Sequence, residues 1–129
     1  MFTIVRHCGE RLPGGIRKWV KVARRAGFDG TLYIRGFRSR DNEPTGRIIL
    51  GTQFNNRIIV RVQSKCGNAS LARPLDPLQT FAHELGHWHR QMKGLQSTNG
   101  IDFKSNAEQA KDPIEAYCDR YAARLLKDL

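Results

Sequence analysis

The fold is decided by residues 76–93, which read DPLQTFAHELGHWHRQMK. Asp76 followed by Pro77 indicates a helix start, because an aspartate side chain accepts hydrogen bonds from the free N–H groups of the first turn and proline suits the first helical position. Gly94 follows this stretch directly and is typical of a helix end. We therefore expect a helix from about Pro77 to Lys93.

Within this helix, His83-Glu84-Leu85-Gly86-His87 matches the H-E-x-x-H motif. Residues four apart on an α-helix lie about 40° apart around its axis, so both imidazoles can reach one metal ion from the same side. The motif predicts that His83 and His87 are metal ligands and that Glu84, beside that face, is a general base. Two surface histidines without a metal are the structural alternative.

The opposite face of this helix is apolar, with side chains at helical spacing: Leu78, Phe81, Leu85, Trp88 and Met92. We expect this stripe to pack in the core, which leaves both histidines accessible. Gly86 costs a helix interior ~1 kcal/mol relative to alanine and predicts close approach by another chain segment. His89 lies about 200° from His87, so it is interpreted as a packing or helix-end residue.

A catalytic zinc site uses three protein ligands and leaves the fourth position to water, so a third ligand is needed. The downstream acidic candidates are Asp102, Glu108, Asp112, Glu115, Asp119 and Asp128. We select Glu115, with Asp119 one turn later as the acceptor that orients a ligand imidazole. Glu115 equally fits the third helical position of a capping box begun by Asp112. Cys118 is near the same face and could bind zinc as a thiolate, although a small buried residue is the alternative.

The remaining elements follow from local signals. Asp112-Pro113 repeats the helix-start pattern and predicts a final helix towards the C-terminus, whereas the polar segment 96–111 is expected to be mostly loop. Three short β-prone runs cover 31–35, 47–50 and 57–62, and Asn55-Asn56 predicts a hairpin between the last two.

An amphipathic helix is expected between Pro13-Gly14-Gly15 and Gly27. Its apolar positions are Ile16, Trp19, Val20 and Ala23, and its basic positions are Arg17, Lys18, Lys21, Arg24 and Arg25. The predicted fold is therefore α+β: an N-terminal helix, a small three-stranded and mostly antiparallel sheet, the H-E-x-x-H helix and a C-terminal helix carrying the glutamate.

Length and composition fit one domain spanning 1–129. The chain has 129 residues, 40% of them hydrophobic, but no apolar run approaches the ~18 residues of a membrane span. The first ten residues lack the pattern of a secretory signal. The three cysteines form no Cys-x-x-Cys pair, which argues against a disulfide framework and favours a reducing cytoplasm.

Charge is concentrated in the first half of the chain. The formal net charge is +10, and residues 1–75 contain 15 basic but only 4 acidic side chains. Such an excess favours an acidic partner, either nucleic acid or an acidic protein surface, although solubility alone could explain it. Arg17, Lys21 and Arg24 are the candidate nucleic-acid contacts.

The motif at 83–87, followed by Glu115-Ala116-Tyr117-Cys118-Asp119-Arg120-Tyr121-Ala122-Ala123-Arg124-Leu125-Leu126, resembles the ImmA/IrrE group of gluzincin-type metallopeptidases. That group has a second motif of approximately Glu-x-x-Ala-Asp/Asn-x-Phe-Ala-Ala-x-Leu-Leu. In this chain Glu115 takes the ligand position and Asp119 the acidic position. Two residues depart from the pattern, since Cys118 replaces an alanine and Tyr121 a phenylalanine.

The resemblance covers roughly residues 76–127. It implies a zincin-like fold and a cytoplasmic zinc peptidase that cuts a specific DNA-binding repressor, in phage, mobile-element or stress circuits. From the residues alone we expect metal-dependent hydrolysis with Zn²⁺, in which Glu84 takes a proton from metal-bound water. The competing hypothesis is a basic nucleic-acid- or partner-binding protein on an inactive zincin scaffold.

Overall fold

A computed structural model describes the chain over residues 1–7, 9–12, 14–37, 51–62, 76–98 and 106–129. The β-prone run at 47–50, the whole segment 63–75, which the sequence predicts to be a loop, and the candidate ligand Asp102 lie outside these residues. Eight elements are found: β1 (Thr3–Arg6), α1 (Ile16–Ala26), β2 (Thr31–Gly36), β3 (Gly51–Phe54), β4 (Arg57–Val62), α2 (Pro77–Met92), α3 (Asn106–Ala110) and α4 (Pro113–Leu126).

The described strands form one mixed sheet with the order β1-β2-β4-β3. β1 and β2 are parallel, β2 and β4 are parallel, and β3 and β4 are antiparallel. The α+β class is confirmed, but the prediction of a three-stranded, mostly antiparallel sheet is wrong. Parallel neighbours need a long crossover between them, and α1 provides one between β1 and β2.

The predicted hairpin is confirmed at Asn55-Asn56. Phe54 pairs with Arg57 across the turn, and Asn55 has a φ of 51°, which asparagine tolerates better than most residues. The described strand that enters the turn is β3, and the β-prone run at 47–50 that was predicted to enter it lies outside the described residues. The turn sets this register, because a two-residue loop requires the flanking residues to pair.

The three main helices begin and end close to the predicted residues. The Asp76 side chain accepts a hydrogen bond from the Gln79 N–H at 3.2 Å, and Gly94 adopts a φ of 71° just after α2. Gly27 ends α1 with a left-handed φ of 72°. The short helix α3 was not predicted, since its residues, Asn-Ala-Glu-Gln-Ala, have no apolar face. No helix in the described part of the chain has the length and apolar character required to cross a membrane.

α2 is the central element, because it contacts β3, β4, α1 and α4. Phe81 and Leu85 are fully buried and Trp88 nearly so, as the apolar stripe predicts, but Met92 at the end of the stripe is 53% exposed. Trp19 of α1 stacks on Phe81 with ring centroids 5.4 Å apart. The main core cluster contains residues of α1, β2, β4, α2 and α4. This packing leaves the opposite face of α2 directed at α4.

Candidate metal centre

Two histidines from α2 form the base of the site. His83 is partly buried and His87 is 5% exposed. Their ring centroids are 5.1 Å apart, as expected for residues one turn apart on one helix face. The structure therefore places both imidazoles where a single ion could contact them.

Glu115 approaches both histidines from α4. Its Oε2 atom lies 2.6 Å from Nε2 of His83 and 3.3 Å from Nε2 of His87. The competing interpretation, a reciprocal capping box, is not what the structure shows. Asp112 does cap α4, accepting from the N–H groups of Ile114 and Glu115 at 2.9 and 3.1 Å, but its own N–H donates to the Gln109 carbonyl. The Glu115 carboxylate is thus directed at the histidines.

The second ring nitrogen of each histidine is also engaged. Nδ1 of His83 lies 2.7 Å from Oδ1 of Asp119, the contact predicted for that aspartate. Nδ1 of His87 lies 2.5 Å from the carbonyl oxygen of Ser97. A carbonyl can only accept, so Nδ1 of His87 carries the proton. Both rings are oriented with Nε2 towards the centre of the site.

Ser97 was missed by sequence reasoning, and no sequence signal could have identified it. The contact uses the backbone carbonyl, which every residue type possesses. Its position depends on the turn after α2, where Gly94 donates to the Gln91 carbonyl and Leu95 to the Arg90 carbonyl. The chain reversal at the end of α2 therefore supplies part of the site.

Cys118 lies beneath the histidines, in contact with Gly86. The donor atoms of His83, His87 and Cys118 all lie within 4.8 Å of one another. A Cβ atom on Gly86 would lie 2.8 Å from the Cys118 Cα atom, so the predicted close approach at this glycine is confirmed. Only a glycine at this position lets α4 approach α2 closely enough to add a sulfur to the donor set.

The donor chemistry fits a divalent metal ion. Imidazole, carboxylate and thiolate are the ligands that zinc prefers, with bonds of about 2.0–2.3 Å. In a tetrahedral site of that size, neighbouring nitrogen and oxygen ligands are about 3.3 Å apart. The contact between His87 and Glu115 is already 3.3 Å, and that between His83 and Glu115, now 2.6 Å, would have to open by less than about 1 Å. The cluster His83, His87 and Cys118 could therefore hold an ion, with Glu115 adjacent.

Charges in the site are strongly coupled. For His87, burial lowers the pKa, but hydrogen bonds to Cys118 and Glu115 and the charge of Glu84 outweigh burial and raise the pKa to about 11. His83 follows the same pattern, with Glu115 and Glu84 raising its pKa against burial. Burial alone would raise the pKa of Glu115, yet the two histidines hold it well below its usual range. Without metal, the two histidines and Glu115 therefore favour each other's charged forms.

Glu84 lies beside the histidines and is buried. Burial raises its pKa, while the charges of His87, His83 and Arg61 act in the opposite direction. Gly51 of β3 packs directly on this residue, because a Cβ on Gly51 would lie 2.9 Å from the Glu84 Cγ atom. The backbone of β3 therefore runs along the side of the site that carries Glu84.

Arg61 is a second feature that sequence reasoning missed. It is 8% exposed in β4 and donates to Thr52 Oγ1 of β3 at 2.9 Å. An arginine within the apolar run 57–62 was the available signal, since buried arginines are rare unless paired. Its charge lowers the pKa of Glu84, so it contributes to the electrostatics of the site.

The other candidate residues lie away from this centre. His89 contacts the Tyr117 hydroxyl at 3.0 Å and stacks on Tyr121, which confirms its interpretation as a packing residue. Arg17, Lys21 and Arg24 are exposed on α1 and do not take part in the histidine cluster.

Comparison with protein-family models, with curated proteins and with solved structures found no match to this chain. The resemblance to ImmA/IrrE peptidases therefore stays a prediction carried by the residues of the two motifs.

Proposed function

We propose that this protein is a zinc-dependent endopeptidase with a zincin-like architecture, in which His83, His87 and Glu115 hold the ion. One observation supports this most directly: a carboxylate oxygen of α4 meets the Nε2 atoms of two α2 histidines at 2.6 and 3.3 Å. The opposite ring nitrogens are fixed by Asp119 and by the Ser97 carbonyl. This is how histidine ligands are commonly oriented in metal sites.

The proposed roles of the residues follow from this geometry. Bound zinc would polarise the scissile carbonyl and make a coordinated water acidic near neutral pH. Glu84 takes the proton from the attacking water and returns it to the leaving amine, and its raised pKa brings its affinity for a proton closer to working pH. Asp119 is a positioning residue that holds the ring of His83.

An extended protein segment is the substrate that suits this site. β3 pairs with β4 along one edge, and among the described residues no strand pairs with its other edge. A peptide could add to that edge as a further strand and pass beside Glu84, with backbone hydrogen bonds fixing its register. The resemblance to ImmA/IrrE proteins further suggests a cytoplasmic DNA-binding repressor as the substrate.

The test compares the wild type with Glu84→Gln, both fully loaded with zinc. A peptide library prepared from a digested bacterial proteome serves as substrate, and cleavage is followed by mass spectrometry. We expect the substitution to lower the cleavage rate about 10²- to 10⁴-fold, the range typical of losing a general base. Glu108→Gln, an exposed change on α3, is the matched control and should cleave at the wild-type rate. Equal rates in wild type and Glu84→Gln would overturn the proposal.

A second function is favoured by the position of Cys118. If its thiolate joins His83, His87 and Glu115, four protein ligands fill the zinc coordination sphere and leave no position for water. The site is then structural, and the chain acts as a binding protein on an inactive scaffold. Cobalt substitution separates the two functions, because a thiolate ligand adds a near-ultraviolet charge-transfer band that disappears in Cys118→Ser. The peptidase proposal predicts no such band.

A further inference from the structure

A row of three exposed cations runs along α1, on the side away from the core. Arg17, Lys21 and Arg24 follow the spacing i, i+4 and i+7, which places them on one face over about 10 Å. All three are exposed, whereas Trp19 and Val22 on the other face are fully buried. None of the three forms an ion pair with a described carboxylate. We call these three residues the basic stripe.

A cationic pocket lies where α1, α2 and α4 meet. Its volume is about 610 Å³, and its polar lining consists of three cations, two tyrosines and a histidine: Arg25, His89, Lys93, Tyr117, Tyr121 and Arg124. Within the part of the chain that the structure describes, no carboxylate lines it. Arg25 is held in place because its Nη1 donates at 2.7 Å to the carbonyls of Leu125 and Lys127 at the end of α4. The pocket is thus a fixed concentration of positive charge with hydrogen-bond donors.

The stripe and the pocket belong to one surface. Arg25 lines the pocket, and it also lines a groove of about 680 Å³ along α1 that includes all three stripe residues. Cations from three helices therefore follow one another, with no carboxylate among the described residues that line the pocket or the groove. The histidine cluster uses other faces of α2 and α4, so this surface is separate from the metal centre.

A nucleic-acid backbone is the partner that this chemistry fits best. Successive stripe residues are separated by about 6 and 4.5 Å along the helix axis, which is between one and two phosphate intervals of a duplex strand, because each strand carries one phosphate per about 3.4 Å of axis. Arginine, lysine and tyrosine are the side chains that contact phosphate oxygens most readily. An acidic protein would present carboxylates at irregular spacing.

We propose that this surface, composed of Arg17, Lys21 and Arg24 with Arg25, Lys93 and Arg124 around the pocket, binds the phosphate backbone of a nucleic acid without reading its sequence. Binding is electrostatic, so it weakens steeply as salt rises. The surface does not depend on a metal ion or on peptidase activity. DNA binding by this surface can therefore be present whether or not the protein is a peptidase.

The experiment measures binding of a fluorescein-labelled DNA duplex of about 20 base pairs, and of one of its strands, by fluorescence anisotropy at about 50 and 200 mM salt. Each phosphate contact contributes about 0.9 to the slope of log K against log salt for duplex DNA and about 0.7 for a single strand. Arg17→Ala/Lys21→Ala/Arg24→Ala should therefore flatten the duplex slope by about 2.7. Between the two salt concentrations, the wild type should lose about 40-fold more affinity than this variant. Comparison of duplex with single strand shows which form the surface prefers.

The pocket is tested by Lys93→Ala/Arg124→Ala, which should flatten the duplex slope by about 1.8. Arg25 is kept, because its guanidinium also holds the end of α4. The matched control is Arg6→Ala/Arg57→Ala/Lys111→Ala, which removes three exposed cations from other parts of the chain. Its slope should match that of the wild type, and thermal unfolding should show that all variants are folded.

Three results would overturn the proposal. The first is a wild type that binds neither DNA form with a Kd below about 10⁻⁴ M at the lower salt, which is weaker than ordinary non-specific binding. The second is a control variant that flattens the slope as much as the stripe variant, because net charge and not this surface would then explain binding. The third is poly-glutamate that competes as well as DNA for the wild type, which would indicate an acidic protein partner.

Discussion

The helices α4 and α1 use their charged side chains in opposite ways. On α4, Glu115 is buried and its carboxylate contacts two histidines. On α1, Arg17, Lys21 and Arg24 are exposed and form no ion pair with a described carboxylate. A charge removed from water needs a partner within the fold, whereas an exposed charge stays solvated and can be retained for a partner outside it. The first arrangement can organise chemistry, and the second can organise binding.

The largest expected effect is the loss of the buried charge. Glu115→Ala leaves two histidines whose raised pKa values depend on that carboxylate. Breaking a buried ion pair typically costs about 3–5 kcal/mol, so the metal-free protein should lose about 3 kcal/mol of unfolding free energy. Urea denaturation of the metal-free protein at neutral pH measures this loss of unfolding free energy. Arg17→Ala is the comparison on α1, and a loss as large as that of Glu115→Ala would contradict the contrast.

Low pH should weaken metal binding at the site formed by Glu115 and the two histidines. The folded-state pKa values of His83 and His87 are raised in the metal-free protein, that of His87 to about 11, so the His87 ring is protonated at neutral pH, His83 holds its proton to higher pH than usual, and an ion must compete with these protons. Each displaced proton adds about tenfold to the affinity per pH unit. Zinc affinity, measured against a chromophoric chelator from about pH 6 to 8, should therefore rise with pH by about 10- to 100-fold per unit. A flat profile would contradict the ion-paired description of the site.

Gly86→Ala should separate α4 from α2. An alanine in a helix interior is normally about 1 kcal/mol better than glycine, but here the added Cβ would meet the Cys118 Cα at 2.8 Å. Overpacking of this kind costs about 1–3 kcal/mol. Gly86→Ala should therefore lower the unfolding free energy, whereas the same change elsewhere in a helix would raise it. Thermal or urea unfolding measures the change. Ala123→Gly, at an exposed position of α4, measures the usual free-energy difference between alanine and glycine in a helix. A Gly86→Ala variant more stable than the wild type would show that the helices are not in contact there.

Asp119→Ala should lower zinc affinity about 10- to 100-fold, the usual effect of removing the acceptor that orients a histidine ligand. The Nδ1 atom of His83 loses its partner at 2.7 Å, whereas Glu115 and His87 are untouched. Asp119→Asn retains an acceptor oxygen and should recover part of the affinity. Asp29→Ala, an exposed aspartate after α1, is the control. Equal zinc affinities for all three variants would show that Asp119 does not orient the His83 ring.

The smallest effect is expected for the basic stripe. Arg17→Ala/Lys21→Ala/Arg24→Ala should change the unfolding free energy by no more than about 0.5 kcal/mol per residue, as for other surface substitutions. The same variant should show the flattened salt dependence of DNA binding described above. Urea denaturation and anisotropy on one preparation measure both. Strong destabilisation would show that these cations serve the fold, as Glu115 does.

Much of the site could be predicted because its signals are local. The spacing of His83 and His87 fixes their common face within one helix, and Asp76 and Asp112 mark the helices that carry the histidines and Glu115. The geometry of an α-helix links residues three or four apart, so sequence spacing is enough. Gly86 was a further local signal, since a glycine in a helix interior requires a reason.

The sheet and the surroundings of the site could not be predicted in the same way. β1 is a short edge strand with mostly exposed residues, so it lacks the alternating pattern that identifies a strand. The pairing of β2 with β4 joins segments more than twenty residues apart, and local propensity carries no information about direction. Ser97 contributes a carbonyl, and Arg61 reaches Glu84 only because β4 packs beneath α2.

The sequence by itself determined the residues of the three main helices α1, α2 and α4, which face of α2 is apolar and which carries the two histidines, and where positive charge accumulates. Tertiary structure alone decided that Glu115 contacts His83 and His87 instead of capping its own helix, that the Cys118 sulfur lies within 4.8 Å of the histidine nitrogens, and that the cations of α1 continue into a pocket of α2 and α4. The physical reason is the distance along the chain over which each kind of interaction acts. Helical periodicity and capping act within about four residues, whereas the position of one side chain against another helix depends on how the whole core packs.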